Sequence, residues 1–287
     1  MSITRTSEFP LSVAVITSTI GRSHLERAIQ SVQQQNYPCK HYVFVDGEQY
    51  FATAKAILDK YPHIIPIYLP MNTGAGGWTN SSINAIAPFL VKEDIMCYLD
   101  DDNWYEPNHI ESGVATLLAS NADYAYSLRY CYMPELNKSC PDVNESIANY
   151  NSSMPNPFVY TISFGGKQIT MTTTQNKINH IDTNCFFVKR DIAVDTASNW
   201  VKTKQNDTYV FEKFLEIGLV GCCTGQFSVQ YLLDLNKYDI GFINTCKMNF
   251  ENITDLEIKE LFYQKQCLYY QVSLENWGGI FPWNRQN

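Results

Sequence analysis

Four short apolar runs, each stopping on a polar or acidic residue and each followed by helical periodicity, constrain this chain most. Val13-Ala14-Val15-Ile16 and Tyr42-Val43-Phe44-Val45 are continuous hydrophobic runs rich in β-branched and aromatic residues, the mark of strands buried on both faces. Residues 64–69 and Ile95-Met96-Cys97-Tyr98-Leu99 repeat the signal. Between them, Leu25, Ala28, Ile29 and Val32 fall at helical spacing, with Ser23 and Glu26 read as a capping box. Residues 51–60, the segment carrying Ile83, Ile86, Ala87 and Leu90 (capped by Thr79 or Asn80), and residues 107–120 read as three more helices. Strand and helix in alternation predict an α/β fold with a mostly parallel central sheet covered on both faces.

With 287 residues, 45% hydrophobic and 17% charged, the composition is that of a folded globular chain. A net charge of −8 with scattered lysines and arginines argues against nucleic acid as partner. A phosphate-bearing small ligand remains compatible if a divalent cation stands between it and the acidic residues. The nine cysteines show no zinc-ligand spacing, no charged-then-apolar leader opens the chain, and no apolar stretch reaches the roughly 20 residues that cross a bilayer. The expectation is a cytoplasmic protein with no transmembrane segment and room for peripheral association at the inner face of a membrane.

Beyond a fifth strand at 122–127 the pattern becomes irregular from 131 to 157, which reads as an insertion. Two runs flanking Gly165-Gly166 read as a hairpin, 181–188 as a strand, and 207–217 as a helix closed by Gly218. Thr254 and Glu257 form a capping box for a final helix. This gives three segments: 1–125, 126–250 with the insertion at 131–157, and 251–287 as C-terminal helix and tail.

In open parallel sheets ligands gather beyond the carboxyl ends of the strands. Thr17, Asp46 and the triplet Asp100-Asp101-Asp102 follow strand runs there, and the glycine-rich loop from Asn72 to Gly77 lies after another. Asp46-Gly47 alone suits an ordinary turn and one aspartate suits a helix cap. Three adjacent carboxylates exceed what a cap needs; they suit Mg2+ or Mn2+, which complete their shells from substrate phosphates and water. The glycines match neither a Walker loop nor the dinucleotide fingerprint, and no Gly-x-Ser-x-Gly elbow is present.

In order and spacing these motifs resemble the inverting glycosyltransferases of family 2, which have the GT-A fold. The opening from Val13 to Arg22 and from Leu25 to Val32, the Asn72-Thr73-Gly74 loop with Ser81-Ser82-Ile83-Asn84, and Leu99-Asp100-Asp101-Asp102 as an Asp-x-Asp motif carry the resemblance across residues 10–125. It implies that 1–125 is the nucleotide-sugar-binding half and 126–250 a smaller mixed acceptor-binding and catalytic half, with a UDP-sugar as donor and a glycan acceptor, bacterial surface polysaccharide or lipooligosaccharide being a family-level example. It also implies that Asp102 and Asp100 hold Mn2+ or Mg2+ and that Thr17, Asp46, Asn72, Gly74, Asp100 and Asp101 surround the nucleotide. The family's Glu-Asp pair at a helix start is Asn206-Asp207 here, so Asp207 is the candidate base and Asp182 its rival. His180 and Asp182 stand where the family lines its acceptor site, and Trp277 and Trp283 could stack on sugars or pack the tail. Two other readings stay open: a nucleotide-sugar or carbohydrate-binding protein of this fold without turnover, and a metal-dependent nucleotidyltransferase.

Overall fold

The computed structural model describes residues 9–174 and 179–284. The strands are β1 Val13–Thr19, β2 Lys40–Asp46, β3 Ile65–Leu69, β4 Ile95–Tyr98, β5 Trp104–Tyr105, β6 Tyr124–Met133, β7 Lys138–Pro141, β8 Phe158–Phe164, β9 Lys167–Thr173, β10 Phe186–Lys189 and β11 Gly221–Leu232. The helices are α1 Leu25–Gln33, α2 Phe51–Leu58, α3 Ser81–Leu90, α4 His109–Ser120, α5 Arg190–Asp195, α6 Asn206–Glu216, α7 Leu235–Tyr238, α8 Ile240–Asn249 and α9 Asp255–Asn276. None is long and apolar enough to cross a membrane, among the described residues.

The chain divides into two units, and neither is contiguous. One contains the described part of 1–127 with 181–229, the other 128–180 with 230–284. Residues 181–229, grouped by sequence within 126–250, therefore share a unit with residues 9–127.

In the first unit the strand order is β3-β2-β1-β4-β10-β6-β11-β5. β3, β2, β1 and β4 run parallel, whereas β10 runs antiparallel between β4 and β6. The sheet is thus mixed from its middle outward. β1 and β2 are enclosed along their apolar stretches, and Leu25, Ile29, Val43, Val45, Ala54, Leu58 and Ile64 form one core cluster beneath α1 and α2. Burying side chains of this size is worth about 1.5–3 kcal/mol each, set against the conformational entropy lost on ordering them. Two local expectations are corrected. Ser23 does not cap α1, because the helix begins a residue later behind His24 with no side-chain cap; and 181–185 is not strand, since Thr183–Cys185 form a 3-10 turn capped by Asp182 and β10 is confined to Phe186–Lys189.

The second unit holds the hairpin of β8 and β9, paired from Phe158↔Thr173 to Phe164↔Lys167 with Gly165-Gly166 at the tip. β8 alternates buried and exposed residues. The end of β6 pairs with β7, so part of the expected insertion is regular sheet. Thr254 and Glu257 make the reciprocal capping box that starts α9.

Candidate active site

Because β1, β2, β3 and β4 are parallel, their carboxyl ends lie on one edge of the sheet, and the antiparallel β10 enters from that same edge. Asp46 ends β2, the triplet follows β4, and the turn from Asp182 to Cys185 precedes β10. The order of the strands therefore brings three acidic segments together.

Asp46 is buried. Its Oδ1 accepts from Thr73 N at 2.8 Å and Thr73 Oγ1 at 2.9 Å, and Oδ2 accepts from Gly74 N at 2.8 Å. The carboxylate thus anchors the glycine-rich loop. Gly74 permits this closeness, since a Cβ there would stand 2.2 Å from the carbonyl oxygen of Thr79. Asn72 precedes the clamped pair and is half-buried. Lys204, from the segment before α6, donates to the carbonyl of Gly76 on the same loop.

Asp100 is partly buried and lies between two amides. Asn80 Nδ2 donates to its Oδ1 at 2.7 Å, Asn184 Nδ2 donates to Oδ2 at 3.0 Å, and the Asp100 N–H donates to Asn184 Oδ1 at 2.6 Å. Burial, followed by the negative charges of Asp102 and Asp182, raises its pKa from the ordinary 3.8 to about 7, against the lowering effect of the two amides. Asp101 is enclosed, where it accepts from Thr19 Oγ1 at 2.6 Å and pairs with Arg22. Burial raises its pKa too, and the Arg22 charge opposes that rise. Asp102 is more exposed and meets the other guanidinium nitrogen of Arg22 at 2.8 Å, while Arg27 donates to its backbone carbonyl at 2.9 Å and lies over the ring of Trp104.

The network continues to the candidate base. Asn206 Nδ2 donates to Asn80 Oδ1 at 2.8 Å and Ser81 Oγ at 2.9 Å, tying the start of α6 to the start of α3. Asp182 Oδ1 accepts from Asn184 N at 2.9 Å and Asn184 Nδ2 at 2.7 Å. Thr183 Oγ1 reaches Asp207 Oδ2 at 3.4 Å. Asp182 and Asp207 are therefore joined to Asp100 through asparagines and one threonine. Asp207 is not the cap of α6: Gln205 holds that position, and Asp207 sits in the first turn accepting from Thr208 N at 2.8 Å. Asn80 stands before α3 without capping it, because its amide is committed to Asp100 and Asn206.

Thr17 is not at the rim. β1 runs on to Thr19, and the wholly buried Thr17 hydroxyl lies 2.9 Å from His41 Nε2. Burial, and then the charge of His63, pushes His41 down to about 3, so it stays neutral. Thr19 occupies the place read for Thr17. His180, Trp277 and Trp283 belong to the second unit. Trp283 is buried, stacked on Phe281 at 4.6 Å and edge-on to Tyr150 at 5.5 Å, so its ring packs the tail instead of presenting a platform. Trp277 closes α9 and is half-buried, and His180 bridges to Ala148.

Residues 13–196 match the sequence family described as Glycosyl transferase family 2, well over half of the chain. The chain belongs to that family. Among solved structures, S. aureus TarS aligns over 96% of this chain and 44% of its own, with TM-score 0.52 and 10% identity. TarS 1–349 in complex with UDP-GlcNAc aligns over 93% and 74%, with TM-score 0.54 and 9% identity. The mannosyltransferase PcManGT of Pyrobaculum calidifontis, in complex with GDP-Man and Mn2+, aligns over 93% and 72%, with TM-score 0.54 and 10% identity. At these identities the likeness is one of fold, and that fold is GT-A. An uncharacterized protein of Haemophilus influenzae is 38% identical over 65 residues, which is 22% of this chain and 44% of that protein. The chain thus spans under half the length of that relative and of the longer TarS chain.

Proposed function

We propose that this chain is an inverting glycosyltransferase that moves a sugar from a nucleoside diphosphate donor, a UDP-sugar first, onto a hydroxyl of a glycan acceptor. The observation that carries the reading is the joining of Asp46 with its glycine-rich loop, the Asp100 to Asp102 segment and Asp207 at one sheet edge, in a chain of this family. The complexes of TarS with UDP-GlcNAc and of PcManGT with GDP-Man support a nucleotide-sugar donor.

The residues take distinct roles. The loop fixed by Asp46 shapes the nucleotide end of the site, so that contact serves donor binding in ground and transition state alike. Asp207, in the first turn of α6, takes the proton of the attacking hydroxyl, and Asp182 is the alternative base. The asparagines hold Asp100, Asp182 and α6 in register, so the groups need not reorganise during reaction.

A divalent cation fits this donor set. Asp100 and Asp102 offer hard carboxylate oxygens, and a cation would offset both the burial and, after it, the neighbouring negative charge that raise Asp100. Among the described residues no three His, Cys, Asp or Glu side chains form a ready-made cage, so an ion held here would draw its remaining ligands from donor phosphates and water. Bound there, Mn2+ or Mg2+ would offset charge on the departing diphosphate. Calorimetry with UDP and GDP, with Mn2+ and with EDTA, tests donor and cation together. The expected result is cation-dependent UDP binding; binding unaffected by EDTA removes the cation, and no nucleotide binding removes the reading.

A further inference from the structure

Arg22 stands in none of the roles above, yet its guanidinium joins two members of the acidic triplet. One terminal nitrogen pairs with Asp101 and the other lies 2.8 Å from Asp102 Oδ2. The two partners differ. Asp101 is fully enclosed and needs a counter-charge, because an unpaired buried carboxylate is costly, and Thr19 Oγ1 supplies only a neutral hydrogen bond. Asp102 retains 28% side-chain exposure and Arg22 retains 46%. The Asp101 contact is thus made to an enclosed partner, whereas the Asp102 contact joins two side chains that both reach water.

The geometry points to Arg22 as a positioning residue that guards the cation site. We propose that it holds Asp102 in the cation-free protein, gives up that oxygen when a divalent ion arrives, and turns its outer nitrogen to the donor diphosphate. This rests on the proposed donor site. Three physical points support it. A cation and a guanidinium compete for the same Asp102 oxygen, and their like charges repel across it. The Asp101 contact keeps the guanidinium at the rim while the outer nitrogen is released. A planar fork with two terminal nitrogens can hold a carboxylate with one and a phosphate oxygen with the other, which a lysine ammonium does less well. Arg22 would then exclude the ion from the empty site and favour it once the diphosphate is present, coupling cation to donor.

The test is Arg22→Lys, which keeps a charge for Asp101 but lacks the second arm. Mn2+ alone is titrated by electron paramagnetic resonance, and UDP is then titrated by calorimetry at saturating Mn2+. The proposal expects opposite changes: Mn2+ alone binding about five- to tenfold tighter, and UDP about five- to tenfold weaker, each about 1–1.4 kcal/mol. Arg22→Gln should move both further in the same directions, and thermal melts confirm that each variant is folded. Parallel weakening of Mn2+ and UDP would show a merely structural role and overturn the proposal, as would no change in either. If wild-type protein fails to bind UDP at all, the donor-site reading falls; the Mn2+ titration still decides Arg22, with tighter binding in Arg22→Lys supporting the guard and equal binding overturning it.

Discussion

Asp100 makes folding stability depend on pH in a direction opposite to that of an ordinary paired carboxylate. Its pKa rises from 3.8 to about 7 on folding, chiefly through burial and then through Asp102 and Asp182. The folded chain therefore holds more protons than the unfolded chain between about pH 4 and 7, and the contribution of this group is full below about pH 4 and lost as pH rises through about 7. Each pKa unit weighs about 1.4 kcal/mol, which sets an upper bound of about 4 kcal/mol. Solvent at the partly exposed carboxyl trims this, leaving about 2–4 kcal/mol. Asp100→Asn removes the titration but incurs a cost of its own. Asn80 and Asn184 both aim N–H groups at position 100, and their carbonyl oxygens are engaged by Asn206 and by the Asp100 N–H. One donor would face another, at about 1–3 kcal/mol independent of pH. Urea denaturation of both proteins from pH 4.5 to 8 separates the two contributions. The stability of Asp100→Asn relative to wild type should climb by about 2–3 kcal/mol between pH 4.5 and 8, while carboxylates remote from position 100 cancel in the difference. Two curves that stay parallel would refute the placement of Asp100 in a repulsive, desolvated cluster.

Other substitutions probe other parts of the site. Asp207→Asn should keep the melting temperature, because its side-chain oxygen still accepts from Thr208 N, and lower turnover by roughly 10²–10⁴-fold. Near-wild-type turnover would pass the role of base to Asp182. Asp46→Ala frees three donors of Thr73 and Gly74 and should weaken UDP binding by tenfold or more, on the order of 1.4 kcal/mol, with turnover of bound donor little changed. Normal affinity with collapsed turnover would contradict it. Gly113→Ala places a methyl within 2.5 Å of three ring atoms of the buried Phe187, where α4 lies against β10, and should cost about 1–3 kcal/mol in denaturation; a neutral result would mean the two elements separate easily.

The parallel half of the sheet was legible because β1, β2 and β4 are buried on both faces, and each apolar run gives way abruptly to polar residues at the rim. Asp46 and the triplet stand out for that reason. Gly165-Gly166 and the Thr254/Glu257 box were legible as local chemistry that needs no tertiary context. Thr17 misled because a hydroxyl in a strand is satisfied when a neutral histidine lies beside it, and the strand then continues to Thr19. Asn80, Asn184 and Asn206 were missed as a group. Uncharged amides leave no signature in a single sequence, and their partnership arises only when the antiparallel β10 returns the chain to the β4 edge. That same return makes both units discontinuous. Arg22 closes the opening motif, but its charge gains meaning only from facing Asp101 and Asp102.

The proposed activity of this rim is transfer of a sugar from a nucleoside diphosphate. The most direct measurement incubates the protein with Mn2+, a glycan acceptor mixture and a panel of UDP- and GDP-sugars, then quantifies free nucleoside diphosphate, with Asp207→Asn and EDTA as controls. UDP release is expected from at least one UDP-sugar, abolished by EDTA and reduced by roughly 10²–10⁴-fold in Asp207→Asn. Donors that bind but yield no nucleoside diphosphate, or pyrophosphate formed from a nucleoside triphosphate in a parallel incubation, would contradict it.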